Sequence, residues 1–286
     1  MKKKLIFLVL IMSNLLALLS AQVKIGILKG TASIPFAYLY SQNTENYTFA
    51  VFENPEELFS QMQNGLIDAT VVSSLAAEKL VQETNNAVTA AAVVSTSDFY
   101  VVGRNSGRVS FSSLVGKSVC IASKGLAYKM FLYLLEKNQI PVEEGQGGVN
   151  IVTVEKQSQA LSCLIESKTD FALLSGAALQ EAFLRSKQFR KNINLQEQIQ
   201  LLEGSEKIVP LQVLVVRSQF CKDHSRLFQQ LKNDVETSVD EALRKPNTIA
   251  KIIEENNFGV SRKVCAKIIL NSNFNFIPIN DEFHLW

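Results

Sequence analysis

The sequence predicts an α/β protein made of two similar halves, and three observations lead there. Apolar runs of strand length alternate with stretches of helical period. A segment of the first half reappears in the second. The N-terminus carries an address that sets where the rest must fold.

That address comes first. Lys2, Lys3 and Lys4 precede an apolar run from Leu5 to Leu19, broken only by Ser13 and Asn14, and then come Ser20 and Ala21. The run is shorter than the roughly 20 residues a membrane-spanning helix needs. A basic start, a short greasy core and small residues at the end describe a secretory signal, cleaved after Ala21. An uncleaved anchor is the alternative. The first cysteine is Cys120, so no lipid-modified N-terminal cysteine is expected. Without the three leader lysines, 26 of the 29 basic residues face 27 acids. That near-neutral body offers no clustered basic surface for nucleic acid. At 47% apolar and 20% charged, the chain is also unlike a disordered one.

Val23–Leu28 reads as a strand and Ala32–Gln42 as a helix. Tyr47–Glu53 alternates as a strand does. Asn54-Pro55-Glu56-Glu57 then supplies an N-cap, a first-turn proline and two acids at the positive end of the next helix. Ala69–Val72 is short and apolar throughout, as buried parallel strands are, and Ser73 or Ser74 caps a further helix. Ala87–Arg104 is one long strand-like stretch with Ser95-Thr96-Ser97-Asp98 inside it. Strands at Val119–Ala122, Asn150–Glu155 and Phe171–Leu174 alternate with helices at Leu126–Lys137, Ser158–Glu166 and Ala177–Arg185. Leu211–Val216 is the last strand expected, and everything beyond it reads as helix: Ser225–Leu243, Thr248–Asn256 and Arg262–Leu270.

The two runs match one another. Shifted by 95 residues, Lys29-Gly30 falls on Lys124-Gly125, Ala32 on Ala127 and Phe36 on Phe131, with seven identities in fifteen positions. Shifted by 102, Asp68 meets Asp170 and Ser73 meets Ser175. A shared apolar pattern does not account for paired Lys-Gly, Asp and Ser, so a duplicated unit is expected. Two such units suggest lobes facing across a cleft, with ligand beyond the carboxyl ends of the strands.

On these residues the chain resembles a family. Ile27-Leu28-Lys29-Gly30-Thr31-Ala32 is similar to the opening loop of bacterial ABC-transporter substrate-binding proteins of the periplasmic type II fold, nearest to the sulfonate- and thiamine-precursor-binding group. Asn64–Ala69 with Ser73-Ser74-Leu75-Ala76-Ala77, Leu114–Val119 before Lys124-Gly125, and Asn271–Pro278 resemble further segments of that group. The resemblance implies two lobes, each a mostly parallel sheet flanked by helices, with the C-terminal helices packed on the first. It places lobe one at residues 22–100 and 214–286 and lobe two at 101–213, after a signal at 1–21. The implied function is a periplasmic, non-catalytic protein that captures a small solute and delivers it to an ABC permease in the inner membrane. A monomer is expected. An enzyme on the same fold and a ligand-sensing module of a membrane receptor remain alternatives. Ser175-Gly176 stands where many relatives read Glu-Pro.

No catalytic, metal or cofactor motif stands against this. The histidines are His224 and His284 alone, and Gly145-Gln146-Gly147-Gly148 precedes a strand rather than following one. Asp68 and Asp170 are expected to cap backbone. Free thiols are expected at Cys120, Cys163, Cys221 and Cys265, the alternative being bridges 120–163 and 221–265. The candidate ligand contacts are Lys29, Gly30, Thr31 and Ala32 in one loop and Ser123, Lys124, Gly125, Leu126 and Ala127 in its repeat. Ser73, Ser74, Thr96, Ser97 and Ser175 add hydroxyls, while Phe36, Phe99, Tyr100 and Tyr128 lie close enough in sequence to supply an apolar wall, with core packing the favoured role for Phe36. Hydroxyl and helix N-terminal donors suit a small organic anion or a polar heteroaromatic compound.

Overall fold

The computed structural model describes residues 22–42, 44–104, 109–123, 125–143, 145 and 147–279. The signal, Lys124 and His284 lie outside the described residues.

Strands β1 (Val23–Leu28), β2 (Tyr47–Phe52), β3 (Ala69–Ser73) and β4 (Val88–Thr96) are joined by β10 (Pro210–Arg217) and β11 (Asn273–Pro278) into a six-stranded sheet, ordered β11-β4-β10-β3-β1-β2. A five-stranded sheet, ordered β7-β6-β8-β5-β9, holds β5 (Tyr100–Gly103), β6 (Ser118–Ala122), β7 (Asn150–Val154), β8 (Phe171–Leu174) and β9 (Arg190–Asn194). In each, one strand lies between two parallel partners: β1 between β2 and β3, and β6 between β7 and β8. The repeat in the sequence is thus a repeat in topology.

The sheets are mixed, not mostly parallel as expected. β10 runs antiparallel to β3 and β4, β11 to β4, and β5 to β8 and β9. Every antiparallel pair involves a strand outside the two β3-β1-β2 and β8-β6-β7 units, namely β4, β10, β11, β5 or β9. Only Ser97-Asp98-Phe99 separates β4 from β5, and these two strands lie in different sheets. The stretch read as one strand is therefore two strands in two sheets. Tyr100 pairs in the second sheet and Pro210–Arg217 in the first, so the chain passes between sheets at Ser97–Phe99 and again between Glu203 and Pro210.

Each sheet is covered on both faces. On the first, Ile25, Ile27, Val71, Leu214 and Val216 face a core shared with the C-terminal helices, while Val72, Val213 and Val215 face Leu58, Met62 and Leu80 on the other side. The helix Ser225–Arg244 buries Leu231, Val235, Val239 and Ala242 on one stripe against that core. Each fully buried Leu or Val there contributes roughly 1.5–3 kcal/mol. In the second sheet, Val119, Ile121 and Leu173 pack on Met130, Phe131 and Leu134, and Cys120, Ala172 and Leu174 on Leu161, Leu164 and Leu179.

Four elements depart from the sequence reading. β9, with the sequence Arg-Lys-Asn-Ile-Asn, is an edge strand bonded only to β5 and lacks an apolar run. The helix Leu195–Glu203 follows it, capped by the Asn194 side chain on Gln196 N–H. The short helix Ser218–Asp223 extends β10. β11 corrects the all-helical C-terminus: an edge strand ending at Pro278, it carries a bulge and no strict alternation.

Candidate functional site

The site is built where the two sheets meet. Ser97 N–H donates to Val209 O at 2.8 Å, tying the outgoing link to the returning one. Leu195 N–H donates to Phe99 O at 3.0 Å, and Asn273 Nδ2 to Ser97 O at 2.9 Å. Ser97 itself is fully buried and its hydroxyl donates to Met130 Sδ at 3.4 Å, across the boundary between sheets. Ser97 thus braces the link. Thr96, the last residue of β4, is also buried.

The loop after β1 is held from three sides. Lys29 N–H donates to Phe52 O, and Gly30 N–H donates to Phe258 O at 2.8 Å. Gly30 has φ +107°, a conformation other side chains rarely adopt, and leaves open space where a side chain would stand. Gly259 lets the C-terminal turn close on this loop: a Cβ there would lie 3.1 Å from Lys29 Cβ. Lys29 Nζ is 2.7 Å from Glu53 Oε1, and this hydrogen bond holds the Glu53 carboxyl below the usual range. The Lys29 charge is therefore engaged by an acid. Thr31 Oγ1 accepts a hydrogen bond from Gln212 Nε2 at 2.9 Å, and Ala32 is buried.

Gln212 is the side chain the sequence reading passed over. It stands in register with Ser73 on one neighbouring strand and Ser95 on the other. Gln212 Oε1 and Ser95 Oγ are buried without a hydrogen-bond partner among the described residues. A buried orphan acceptor costs on the order of 1–3 kcal/mol, which a bound polar group offsets. The only signal in the sequence was one amide inside an apolar strand.

Ser73 accepts from Ala76 N–H and so caps its own helix, Ser74–Glu83. Ser74 is buried, and Leu75 beside it packs on the core of the second sheet, to which Leu126 and Ala127 belong. The structure brings these two predicted loops together. On the second sheet, Ser123 N–H donates to Val154 O, and Gly125 begins the helix Leu126–Lys137 with no side-chain cap. Ser175 likewise leads into Gly176–Arg185 without capping it. Its N–H is taken by Gln157 Oε1 at 2.9 Å, and Gln157 Nε2 donates to its hydroxyl. Nothing lies within 4 Å of where a Cβ would sit on Gly125 or Gly176. The helix start at Gly125 is thereby left without a side-chain cap and with positive potential, whereas the Gly176 N–H is taken by the Asp98 carboxyl. Phe36 and Phe99 are buried core residues rather than a ligand wall; Tyr100 and Tyr128 are half-buried.

A charged cluster sits at the link. Asp98 is 2% exposed, and Ser272 Oγ donates to its Oδ2 at 2.8 Å. Burial pushes its carboxyl up, against the opposing pull of Ser272, the Gly176 N–H and Lys191. Burial lowers the Lys191 ammonium, which Asp98 partly restores, and Lys191 Nζ lies 4.2 Å from the centre of the Tyr100 ring. Burial also raises the Tyr100 phenol. The expected backbone role of the two repeated acids is seen directly. Asp68 Oδ2 accepts from Lys24 N–H, and Asp170 Oδ2 from Ser118 N–H, each joining the strand after the acid to its central neighbour.

Two sheets joined by two short links, with an uncapped helix start at Gly125 beside them, make a bilobal α/β architecture of the kind solute-binding proteins have. Solved structures with this fold include an ABC transporter protein from Parabacteroides distasonis, at 13% identity and TM-score 0.69, covering 90% of this chain and 86% of that one. The periplasmic aliphatic sulphonate-binding protein SsuA of Escherichia coli aligns at 10% identity and TM-score 0.68, covering 91% and 82%. The alkanesulfonate-binding SsuA of Xanthomonas axonopodis pv. citri, bound to MOPS, aligns at 14% and TM-score 0.56, covering 91% and 87%. A search of curated proteins finds no significant match. The profile of the phosphonate periplasmic substrate-binding proteins of ABC transporters matches residues 35–255, and the chain belongs to that family. It is a substrate-binding protein of an ABC importer, in a family of binding proteins rather than enzymes.

Proposed function

We propose that the protein captures a small organic oxyanion, of the phosphonate or sulfonate class, between its two sheets and passes it to an inner-membrane permease from the periplasm. The observation that carries this is the uncapped helix start at Gly125, opening on free space. Peptide N–H groups at a helix start bind phosphoryl or sulfonyl oxygens directly, and each helix adds roughly 0.3–1 kcal/mol of favourable field. Thr31, whose oxygen accepts from Gln212 Nε2 and whose hydroxyl hydrogen stays available to donate, would meet the ligand from the first sheet, and Ser123, Lys124 and Ser175 from the second. A ligand touching both sheets favours the closed arrangement of the Ser97–Phe99 and Glu203–Pro210 links. Export follows from the leader, and among the described residues no helix is long and apolar enough to cross a membrane. The protein acts as a monomer and performs no chemistry on its ligand.

Thermal-shift titration with methylphosphonate, ethanesulfonate, acetate and ethylamine tests the ligand class. The phosphonate or sulfonate should raise Tm most and ethylamine not at all. A best ligand that is cationic would sink the oxyanion reading while leaving the bilobal cleft intact.

A further inference from the structure

We propose that Cys120 and Cys163 form a disulfide when the folded chain meets a disulfide oxidant, while Cys221 and Cys265 stay thiols. Cys120 lies in the middle of β6 and Cys163 on the helix Gln157–Ile165, which packs on that strand. Both belong to one apolar cluster with Ala160, Leu161, Leu164 and Leu174. Their thiols meet inside it in a hydrogen-bonding contact. The apolar setting that favoured free thiols in the sequence therefore also places two sulfurs face to face. The other pair differs. Cys221 and Cys265 share the core under the first sheet, yet the groups acting on Cys221 are Lys232, Arg217 and Asp68, and only burial acts on Cys265. Among the described residues no sulfur acts on either thiol.

The chemistry runs in two exchanges. Cys163, half-buried, is the sulfur that an external disulfide can reach, whereas Cys120 is buried. The Cys163 thiolate attacks the oxidant, forming a mixed disulfide and releasing one thiol. Cys120 then loses its proton, attacks Cys163 Sγ and expels the second thiol. Two protein thiols are oxidised to one disulfide, and the oxidant's disulfide is reduced to two thiols. Burial pushes the Cys120 thiol well above its ordinary range, so the second exchange is the slow one. The bridge would join two supports of the candidate site. β6 leads into Ser123 and Gly125, and the helix of Cys163 starts at Gln157, which holds Ser175. Oxidation thus stiffens one wall of the site without touching the ligand.

The test uses the folded mature protein and glutathione disulfide and is independent of ligand identity. After oxidation the protein is unfolded in alkylating agent without reductant, digested and weighed. The expected result is alkylation at Cys221 and Cys265, with a Cys120–Cys163 peptide pair two hydrogen masses lighter than the sum of its reduced parts. Tm should rise on oxidation of the wild type and stay unchanged for Cys163→Ser, a half-buried position that tolerates a hydroxyl. Four alkylated cysteines would overturn the proposal, as would a glutathione adduct that never resolves or a bridge involving Cys221 or Cys265.

Discussion

The two sheets share a unit and use it differently. β3-β1-β2 in the first corresponds to β8-β6-β7 in the second, and an acid before β3 or β8 accepts from the first residues of the central strand in both. The loops at the other end diverge. In the first sheet Lys29 is paired with Glu53, Gly30 N–H is bonded to Phe258, and Ser73 caps its helix. In the second, Gly125 leaves its helix start without a side-chain cap, while the Gly176 N–H is taken by Asp98. The first sheet also carries the C-terminal helices, whose turn at Phe258–Gly259 closes on the backbone of Lys29 and Gly30. Duplication thus preserves the scaffold, while the groups that hold the loops at its other end differ between the two sheets.

The largest effect should come from breaking the shared acid in each lobe. Asp68 is 4% exposed and also holds Arg217 at 2.6 Å, whereas Asp170 is exposed and serves Ser118 alone. Asp68→Ala strands a partly buried guanidinium and an unpaired Lys24 N–H, costing about 3 kcal/mol. Asp170→Ala should cost about 1 kcal/mol. Urea unfolding of both variants measures the difference. Equal costs would show that the extra Arg217 partner adds nothing.

The difference between the open and closed helix ends can be sharpened with Gly125→Asp. Gly125 has the extended backbone of an N-cap, so an aspartate there satisfies the helix start itself and gains a few tenths of a kcal/mol. It also places a carboxylate where the oxyanion is proposed to sit, so affinity for the best phosphonate or sulfonate should fall at least about tenfold. Ser73→Ala in the first lobe removes an existing cap and should cost about 1 kcal/mol of stability with affinity unchanged. Calorimetric titration beside thermal unfolding separates the two. If Gly125→Asp binds as tightly as wild type, the open helix end is not the ligand site.

How far the sequence foretold this arrangement follows the same division. Strands with an uninterrupted apolar run, such as Val23–Leu28 and Phe171–Leu174, were legible to the residue, because burial on both faces leaves one solution. The helix Leu126–Lys137 was legible from its period and from the glycine before it. β9 and β11 were not, since an edge strand half in solvent needs no apolar pattern. The Lys-Gly loop repeat was visible, but the Glu53 partner of Lys29 and the Phe258 partner of Gly30 are tertiary facts. Gln212 and Asp98 were hidden for a similar reason. A single polar residue in an apolar strand gains meaning only when the strand beside it, or the helix end across the link, is known.

A smaller effect should appear in pH dependence at the link between lobes. Asp98 holds its proton in the folded state at pH values where the unfolded chain has lost it, because burial raises its carboxyl. The folded state therefore binds more protons over that window. Stability is fully present below the ordinary carboxylate range and declines as pH rises through the raised folded value. Asp98→Asn keeps an acceptor for Ser272 and removes the titration. Tm measured against pH should fall less steeply in the variant over that window. A wild-type curve that rises there instead would mean that Lys191 and the Gly176 N–H outweigh burial and hold Asp98 charged.

The smallest expected change tests whether the first lobe's lysine is held in reserve. Lys29 Nζ and Glu53 Oε1 are 2.7 Å apart, with the Glu53 side chain 80% exposed and that of Lys29 23% exposed. Pairs in such a setting contribute little to folding, so Glu53→Gln should leave Tm unchanged within error. Its consequence belongs to binding. Removing the carboxylate releases the Lys29 charge, which should tighten an oxyanion about twofold at low salt, with the gain vanishing as screening shortens its reach. Titration of wild type and variant at low and high ionic strength reads this directly. Weaker binding in Glu53→Gln would mean that Glu53 positions Lys29 for the ligand, so that the first lobe contributes its charge after all and the two Lys-Gly loops are alike in use as well as in sequence.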